Sequence, residues 1–237
     1  MKAMILAAGL GTRFKPWTDK HPKALAVVNG KTLLERNIRY LQTFGIREVL
    51  VNLHHYPDQI IQAVNENKGW GSQITFSDET NMLLETGGGL QKAAAWFDSG
   101  TFVLMNVDIL TDLDLQAMMN YHSAHTPIAT LAVTRRKTSR YFLFDADNRL
   151  CGWRNTKTGE EIIKIHDTKT EEKAFSGIHL ISPEIFLHMH RQGKYSIVDV
   201  YLELAAAHPI LGFDHSGSRL VDVGRPESLA VAEELFK

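Results

Sequence analysis

Residues 6–25 read LAAGLGTRFKPWTDKHPKAL, and this stretch decides how the first part of the chain folds. The apolar residues leading into it predict a buried strand over residues 2–7, and the small residues and glycines that follow predict a loop. Glycines let main-chain N–H groups approach phosphate oxygens, because no Cβ stands in the way. With Arg13 and Lys23 supplying positive charge, the stretch predicts a nucleotide-phosphate site in the first turn of an α/β domain.

Strands and helices alternate through the first 134 residues. Four further strands are predicted, at 48–53, 72–77, 101–106 and 128–134. Four helices are predicted among them, at 32–44, 58–67, 88–97 and 113–122. This alternation predicts a Rossmann-like α/β fold, a mostly parallel sheet with helices on both faces, in which ligands bind beyond the carboxyl ends of the strands.

The second half of the chain differs from the first in its residue pattern. Residues 135–173 are rich in charged and turn residues around short strand-like runs, which predicts a small antiparallel hairpin insert. Beyond it we predict strands at 174–181, 209–213 and 219–223, and helices at 183–190, 197–207 and 226–236. With no repeat and no flexible linker, residues 1–237 are expected to form a single domain.

Composition excludes several kinds of partner. The 26 basic and 27 acidic residues nearly cancel, so neither a nucleic acid nor a membrane surface is expected as a partner. Cys151 is the only cysteine, which rules out an internal disulfide and favours a reducing compartment. We see neither a signal peptide nor an apolar run of the ~20 residues that a membrane span needs, so a cytoplasmic protein is expected.

The loop also carries a family resemblance. The run L-A-A-G-x-G-T-R, followed by Pro16 and then by Pro22 and Lys23, resembles the signature of the sugar-1-phosphate nucleotidyltransferases. It differs from the dinucleotide fingerprint, whose third glycine is missing, and from the P-loop, whose Gly-Lys-Ser/Thr is missing. The resemblance implies the GT-A-like nucleotidyltransferase fold, with residues 1–134 binding the nucleotide and residues 135–237 binding the sugar phosphate.

The resemblance also assigns roles around the loop. Phosphate contacts through the main chain fall to Ala8, Gly9, Gly11 and Thr12. Arg13 would hold the departing pyrophosphate, for which its planar fork of donors is suited. Lys23 would neutralise the α-phosphate and the incoming sugar phosphate. Positioning and charge neutralisation are the main requirements of such a displacement.

A magnesium ion is the expected cofactor. Asn106 and Asp108 stand at the end of the strand predicted at 101–106, and we expect them to share one strand face. Asp222, in the run Val221 to Gly224 (VDVG), resembles the late D-x-G motif of the family. The resemblance makes Asp108 and Asp222 the metal ligands, and two carboxylates with phosphate oxygens and water suit Mg²⁺.

Two further segments are candidates for substrate contacts. Three glycines at residues 87–89 are predicted to open a helix, where Gly87 and Gly88 would offer a flat surface and N–H groups to the base. Glu79, in the preceding loop, could add a side-chain contact to the base. Gly177, in the run FSGIH, would let the sugar approach. In contrast, His188 and His190 are expected to face solvent.

The expected reaction is NTP + sugar 1-phosphate → NDP-sugar + pyrophosphate. The runs LETGGG at 84–89 and VDVG at 221–224 resemble the short members that use UTP and N-acetylmuramate 1-phosphate, so UTP with an amino-sugar phosphate is the first expectation. GTP with mannose 1-phosphate and CTP with a phospho-alcohol such as phosphocholine are alternatives. A nucleotide-sugar-binding regulator without turnover is the non-enzymatic alternative. The partners are small-molecule substrates, and the chain is expected to be a monomer or small homo-oligomer.

Overall fold

The computed structural model describes residues 1–97 and 100–237. The α-helices within these residues are α1 Leu33–Thr43, α2 Pro57–Glu66, α3 Glu85–Lys92, α4 Leu115–His125, α5 Ile197–Leu204 and α6 Ser228–Leu235. The strands are β1 Lys2–Leu6, β2 Val27–Val28, β3 Lys31–Thr32, β4 Glu48–Leu53, β5 Gln73–Asp78, β6 Phe102–Asn106, β7 Ile109–Thr111, β8 Ala129–Thr134, β9 Arg140–Phe144, β10 Leu150–Asn155, β11 Glu160–Ile163, β12 Glu171–Ile181, β13 Ile210–Asp214 and β14 Leu220–Asp222.

The central sheet runs in the order β5-β4-β1-β6-β12-β8-β13. Strands β5, β4, β1 and β6 pair in parallel, and so do β8 and β13. Strand β12 runs antiparallel to both of its neighbours, β6 and β8. The predicted fold class, a mostly parallel sheet, is therefore confirmed.

The hairpin insert lies beside the first residues of β12. Strands β9, β10 and β11 form an antiparallel meander, and β9 pairs with Glu171–Lys173 of β12. Because β12 is eleven residues long, its second half joins the central sheet while its first half carries the meander. The predicted antiparallel addition is confirmed, and its three strands lie within the predicted range of residues 135–173.

Helices cover both faces of the sheet. Along β1, Ile5 belongs to the hydrophobic cluster on one face and Met4 to the cluster on the other, as the two-residue period of a strand requires. Helix α1 adds Ile38 to the first cluster, and α5 adds Tyr201 to the second. This two-sided burial explains why the central strands are almost wholly apolar.

The carboxyl ends of the central strands meet at one edge. In the β1–β6 ladder Leu6 lies opposite Asn106, so both strands end at the same level. The chain then turns at residues 107–108 and enters β7, which pairs antiparallel with β14 so that Ile109 lies opposite Asp222. This small ladder brings the late segment of the chain back to the end of β6.

Three predicted helix bounds are wrong by two or three residues. Helix α3 begins at Glu85 rather than Gly88, and it therefore contains the glycine run. Helix α4 begins only at Leu115, because Asp114 caps it by accepting a hydrogen bond from the N–H of Ala117 at 3.0 Å. Residues 183–188 form a 3-10 helix that ends at His188.

None of the helices in the described part of the chain is long and apolar enough to cross a membrane.

Two buried histidines make stability dependent on pH. Burial lowers the pKa of His122 to about 4 and the pKa of His179 to about 3. Their Nδ1 atoms lie 2.8 Å from Thr130 Oγ1 and 2.7 Å from Tyr201 Oη. Both rings are therefore neutral in the folded protein and take up a proton on unfolding below their ordinary pKa of about 6.5.

We expect the free energy of unfolding to be constant with respect to these two groups above pH 6.5 and to fall as the pH drops from 6.5 towards 4. Each ring contributes a slope approaching ~1.4 kcal/mol per pH unit, because the unfolded chain binds one more proton there. Urea unfolding at several pH values measures the slope. His122→Asn should remove the contribution of that ring to the slope, whereas the exposed control His125→Asn should leave the slope unchanged. Equal slopes in the two variants would contradict the role of His122 in the pH dependence.

Candidate active site

A cavity of about 420 Å³ opens at the carboxyl ends of β1 and β6. Most of the predicted site residues line it: Ala8, Gly9, Gly11, Thr12, Arg13, Lys23, Asn106 and Asp108. The cavity is also lined by residues that were not among the predicted site residues, namely Asn52, Leu83, Glu85, Thr86 and Ser196, of which Glu85 and Thr86 belong to the LETGGG run. The first turn, the end of β6 and the start of α3 thus face one space.

Gly11 shapes the loop after β1. Its φ of +60° lies in the left-handed region, and a Cβ at this position would stand 2.8 Å from the Cγ2 atom of Thr18. The Gly11 carbonyl accepts hydrogen bonds from the Phe14 N–H at 2.8 Å and from the Thr18 hydroxyl at 2.9 Å. Only glycine fits this position, because backbone angle and close contact both exclude a side chain.

The loop leaves main-chain donors unused. Among the residues that the structure describes, the N–H groups of Gly9, Leu10, Gly11 and Thr12 donate no hydrogen bond to a protein acceptor. Three of these residues line the cavity. Adjacent main-chain donors without protein partners at the end of a strand suit an anionic ligand, which can accept several of them at once.

Asn52 is a site residue that sequence reasoning missed. It is almost fully buried, and its Oδ1 accepts hydrogen bonds from the N–H of Ala7 at 2.7 Å and of Ala8 at 3.2 Å. The predicted donation from the main chain of Ala8 to phosphate is therefore corrected, because that N–H is already paired. After the exposed Glu48, the strand EVLVNL is apolar except for this asparagine, and an isolated polar residue in a buried run was the available signal.

Glu79 holds Asn52 in place. Its side chain is 1% exposed, and its two oxygens accept from Asn52 Nδ2 at 2.7 Å and from the N–H of Leu84 at 3.1 Å. Burial raises the pKa of Glu79, and these two hydrogen bonds act in the opposite direction. Glu79 does not line the cavity, so the structure places it behind Asn52 rather than against a ligand.

Lys23 and Asp108 form an ion pair at the floor of the site. Lys23 Nζ lies 2.5 Å from Asp108 Oδ2, and the lysine side chain is only 10% exposed. Asp108 lies in the turn after β6 rather than on its face, which corrects the expectation that it shares a strand face with Asn106. Both residues still line the same cavity, because the turn folds back over the strand end.

Asp222 comes to the same place from the far end of the chain. The β7–β14 ladder and a hydrogen bond from the Val223 N–H to the Asp108 carbonyl, 2.8 Å long, hold it beside Asp108. A Cβ on Gly224 would meet Asp222 Oδ1 at 2.8 Å and Arg13 Nη2 at 3.2 Å. The glycine of the D-x-G run therefore makes room for the carboxylate and the guanidinium together.

The charged groups around Asp222 change its pKa. Although Asp222 keeps an exposed edge, desolvation of its carboxyl raises its pKa, and the neighbouring Asp108 carboxylate raises it further. Lys23 and Arg13 lower the pKa of Asp222 in part. Two carboxylates with oxygen-only chemistry at the rim of an anion-binding loop fit the donor set that Mg²⁺ prefers.

The glycines of α3 have a packing role. A Cβ on Gly87 would stand 2.5 Å from the Tyr195 ring, and one on Gly88 would stand 2.1 Å from the Gly193 carbonyl oxygen. Neither residue lines the cavity, and both are buried. The expectation of an open glycine surface is therefore wrong: the missing side chains let α3 pack against the segment that leads into α5.

Gly177 also lies behind the cavity wall. Its φ is +74°, and a Cβ there would stand 2.8 Å from both Asn106 Nδ2 and Ile109 Cγ1. Gly177 is absent from the cavity lining, so in this structure it shapes the neighbourhood of Asn106. A left-handed backbone and a close side-chain contact both require glycine at this point of β12.

The comparison with known proteins decides the family. The sequence profile described as "Nucleotidyl transferase" matches residues 2–236, nearly the whole chain. This chain belongs to the nucleotidyl transferase family. The resemblance inferred from the loop motif is thereby confirmed at the level of the family.

Two nucleotidyl transferases are similar to nearly all of this chain. The N-acetylmuramate alpha-1-phosphate uridylyltransferase of Caulobacter vibrioides is 28% identical over 239 residues, covering 98% of this chain and 95% of the relative. The probable mannose-1-phosphate guanylyltransferase 2 of Arabidopsis thaliana is 26% identical over 244 residues, covering 100% of this chain and 65% of the relative.

A solved structure shares the fold. HddC from Yersinia pseudotuberculosis, complexed with GMP-PN, superposes with a TM-score of 0.77 at 23% identity, covering 100% of this chain and 99% of that one. At this identity the likeness shows that the two proteins share a fold.

Asn52→Ala tests the anchor of the loop. The substitution leaves the buried N–H groups of Ala7 and Ala8 without an acceptor, and an unpaired buried donor costs about 1–3 kcal/mol. We expect the free energy of unfolding in urea to fall by at least that amount. The exposed Asn65→Ala on α2 is the control, with a change within about 0.5 kcal/mol. Similar losses of unfolding free energy in both variants would show that Asn52 does not stabilise the loop.

Gly88→Ala tests the packing of α3. The new methyl group would overlap the Gly193 carbonyl, and overpacking of this kind costs about 1–3 kcal/mol. The matched control is Gly217→Ala, where a Cβ meets no atom within 4 Å and stability should stay within about 1 kcal/mol. Thermal and urea unfolding of both variants measure the difference. A Gly88 variant as stable as the control would contradict the close packing.

Proposed function

We propose that this protein transfers a nucleotidyl group from UTP to N-acetylmuramate 1-phosphate or a related amino-sugar phosphate. The observation that carries the proposal is the meeting, at one cavity, of Arg13, Lys23, Asp108 and main-chain donors that have no acceptor among the described residues, with Asp222 close to Asp108. The similarity to the Caulobacter uridylyltransferase along the whole chain supports UTP as the nucleotide. The guanylyltransferase relative keeps GTP with mannose 1-phosphate as the second candidate, and CTP remains the third.

The reaction we propose is a displacement at the α-phosphorus. An oxygen of the sugar phosphate forms a bond to the α-phosphorus, and the bond from that phosphorus to the bridging oxygen breaks. The electron pair of the broken bond leaves with pyrophosphate, so NTP and sugar 1-phosphate give NDP-sugar and pyrophosphate. No covalent intermediate with the protein is needed, and positioning with charge stabilisation accounts for the rate.

The loop and its cations bind the triphosphate in this scheme. The N–H groups of residues 9–12 donate to phosphate oxygens, since they have no acceptor in the described protein. Arg13 lines the cavity beside them and takes the departing pyrophosphate with its planar fork of donors. Lys23 is nearly dehydrated, so its charge acts on the α-phosphate with little screening by water.

Asp108 and Asp222 are the residues we propose for Mg²⁺. Burial, and after it the nearby Asp108 carboxylate, raises the pKa of Asp222, and a cation between the two carboxylates would relieve their repulsion. When bound, the ion would neutralise phosphate charge at the site of displacement. Lys23 offsets the charge of Asp108 in the structure.

The base lies, in this proposal, against the cavity wall at the start of α3. Leu83, Glu85 and Thr86 line that end of the cavity. The N–H of Ile197 donates to Thr86 Oγ1 at 2.9 Å, which fixes the start of α3 against α5. Gly87 and Gly88 support this wall from behind rather than by touching the base.

A substrate panel tests the proposal directly. Purified protein with Mg²⁺ is incubated with each NTP and a set of sugar phosphates, and released pyrophosphate is measured. We expect the fastest release with UTP and an amino-sugar 1-phosphate. Fastest release with GTP would replace the uridylyl assignment by a guanylyl one. Tight nucleotide-sugar binding without any pyrophosphate release would favour the regulator over the enzyme.

Charge removal tests the assigned roles. Arg13→Ala and Lys23→Ala should each lower kcat by at least ~10²-fold, as the loss of other charge-stabilising groups does. The control is Lys20→Ala, an exposed lysine of the same segment that does not line the cavity. Asp108→Asn should raise the Mg²⁺ concentration needed for half-maximal rate. Near-native turnover in either the arginine or the lysine variant, with the fold intact by circular dichroism, would contradict the roles.

A further inference from the structure

A second group of metal-binding side chains lies away from the cavity. Glu184 and His188 are on the 3-10 helix Pro183–His188 that follows β12, and His208 precedes β13. None of the three lines the nucleotide cavity. We propose that Glu184, His188 and His208 form a binding site for a divalent transition-metal ion, with Zn²⁺ as the best-suited ion.

The geometry brings three ligand atoms together. One oxygen of Glu184 and one ring nitrogen from each histidine all lie within 4.8 Å of one another. The two imidazole rings have centroids 4.2 Å apart, at an interplanar angle of 47°. A tetrahedral Zn²⁺ with bonds of about 2.1 Å needs ligand atoms roughly 3.4 Å apart. These side chains are exposed or half-buried, so small rotations can bring the ligand atoms to that spacing.

The ligands have no competing partners. Across residues 1–97 and 100–237, neither imidazole and neither oxygen of Glu184 takes part in a hydrogen bond or ion pair with another side chain or main-chain group. The two rings contact each other. This differs from the expectation that His188 faces solvent, because it is half-buried against His208, whereas His190 is exposed as predicted.

The backbone beneath the ligands is held in place. The N–H of Ile185 donates to the Ser182 carbonyl at 3.0 Å, which fixes the first turn that carries Glu184. The N–H of His208 donates to the Leu204 carbonyl at 2.8 Å, at the end of α5. A site whose backbone is ordered before binding loses little entropy when the metal arrives.

The donor set separates this site from the carboxylate pair. Two imidazole nitrogens and one carboxylate suit Zn²⁺ and similar ions, whereas Mg²⁺ prefers oxygen ligands alone. Three protein ligands leave a fourth position for water. The bound ion would link the segment after β12 to the connection between α5 and β13.

Zinc titration tests the proposal in the full chain. Metal-free protein is titrated with Zn²⁺ against a chromophoric chelator, in excess Mg²⁺ so that the carboxylate pair is occupied. We expect one equivalent of Zn²⁺ bound by the parent protein. His188→Gln and His208→Gln should each weaken binding by at least ~10-fold, because each removes one of three protein ligands.

Two further variants make the result decisive. Glu184→Gln changes an exposed carboxylate, so it should weaken Zn²⁺ binding without affecting folding, even if a histidine variant is unstable. His125→Gln, an exposed histidine on α4, should bind Zn²⁺ like the parent. Zn²⁺ should also raise the Tm of the parent protein and of the His125 variant only. No bound Zn²⁺ in the parent, or undiminished affinity in the Glu184 and His208 variants, would overturn the proposal.

Discussion

Two like charges held side by side govern the architecture of this site. Asp108 ends the turn after β6, and the β7–β14 ladder brings Asp222 beside it from the opposite end of the chain. Such a pair is costly unless cations stand close. Lys23 and Arg13 supply that charge from the loop after β1, so three distant segments must fold together before the site exists. An isolated segment could not form it.

The loop after β1 is also held by hydrogen bonds from residues of other strands. Asn52 on β4 pairs the N–H groups where β1 ends, and Glu79 after β5 orients that asparagine. The hydrogen bonds pass from one strand end to the next, in the order in which the strands lie in the sheet. The N–H groups of Ala7 and Ala8 are paired in this way, whereas those of residues 9–12 have no acceptor in the described part of the protein. The hydrogen bonds of Asn52 and Glu79 therefore support the start of the loop from which these N–H groups project.

Local patterns predicted most of the fold, because apolar periodicity is set by which sheet face each residue occupies. Strand β4 was predicted at its observed bounds, and Arg13, Lys23 and Asp108, which the loop and strand-end motifs picked out, line one cavity. The glycine run was interpreted as an open surface for the base, whereas the close approach of the Tyr195 ring and of the Gly193 carbonyl explains it. Contacts between distant residues, such as Asn52 with Ala7, leave little trace in a single sequence.

The structure of the complex with UTP and Mg²⁺ tests the central claim most directly. The account predicts phosphate oxygens within hydrogen-bonding distance of the N–H groups at residues 9–12, with Arg13 and Lys23 beside them. It also predicts the ion between Asp108 and Asp222. Nucleotide bound elsewhere, or an ion that touches neither carboxylate, would contradict it.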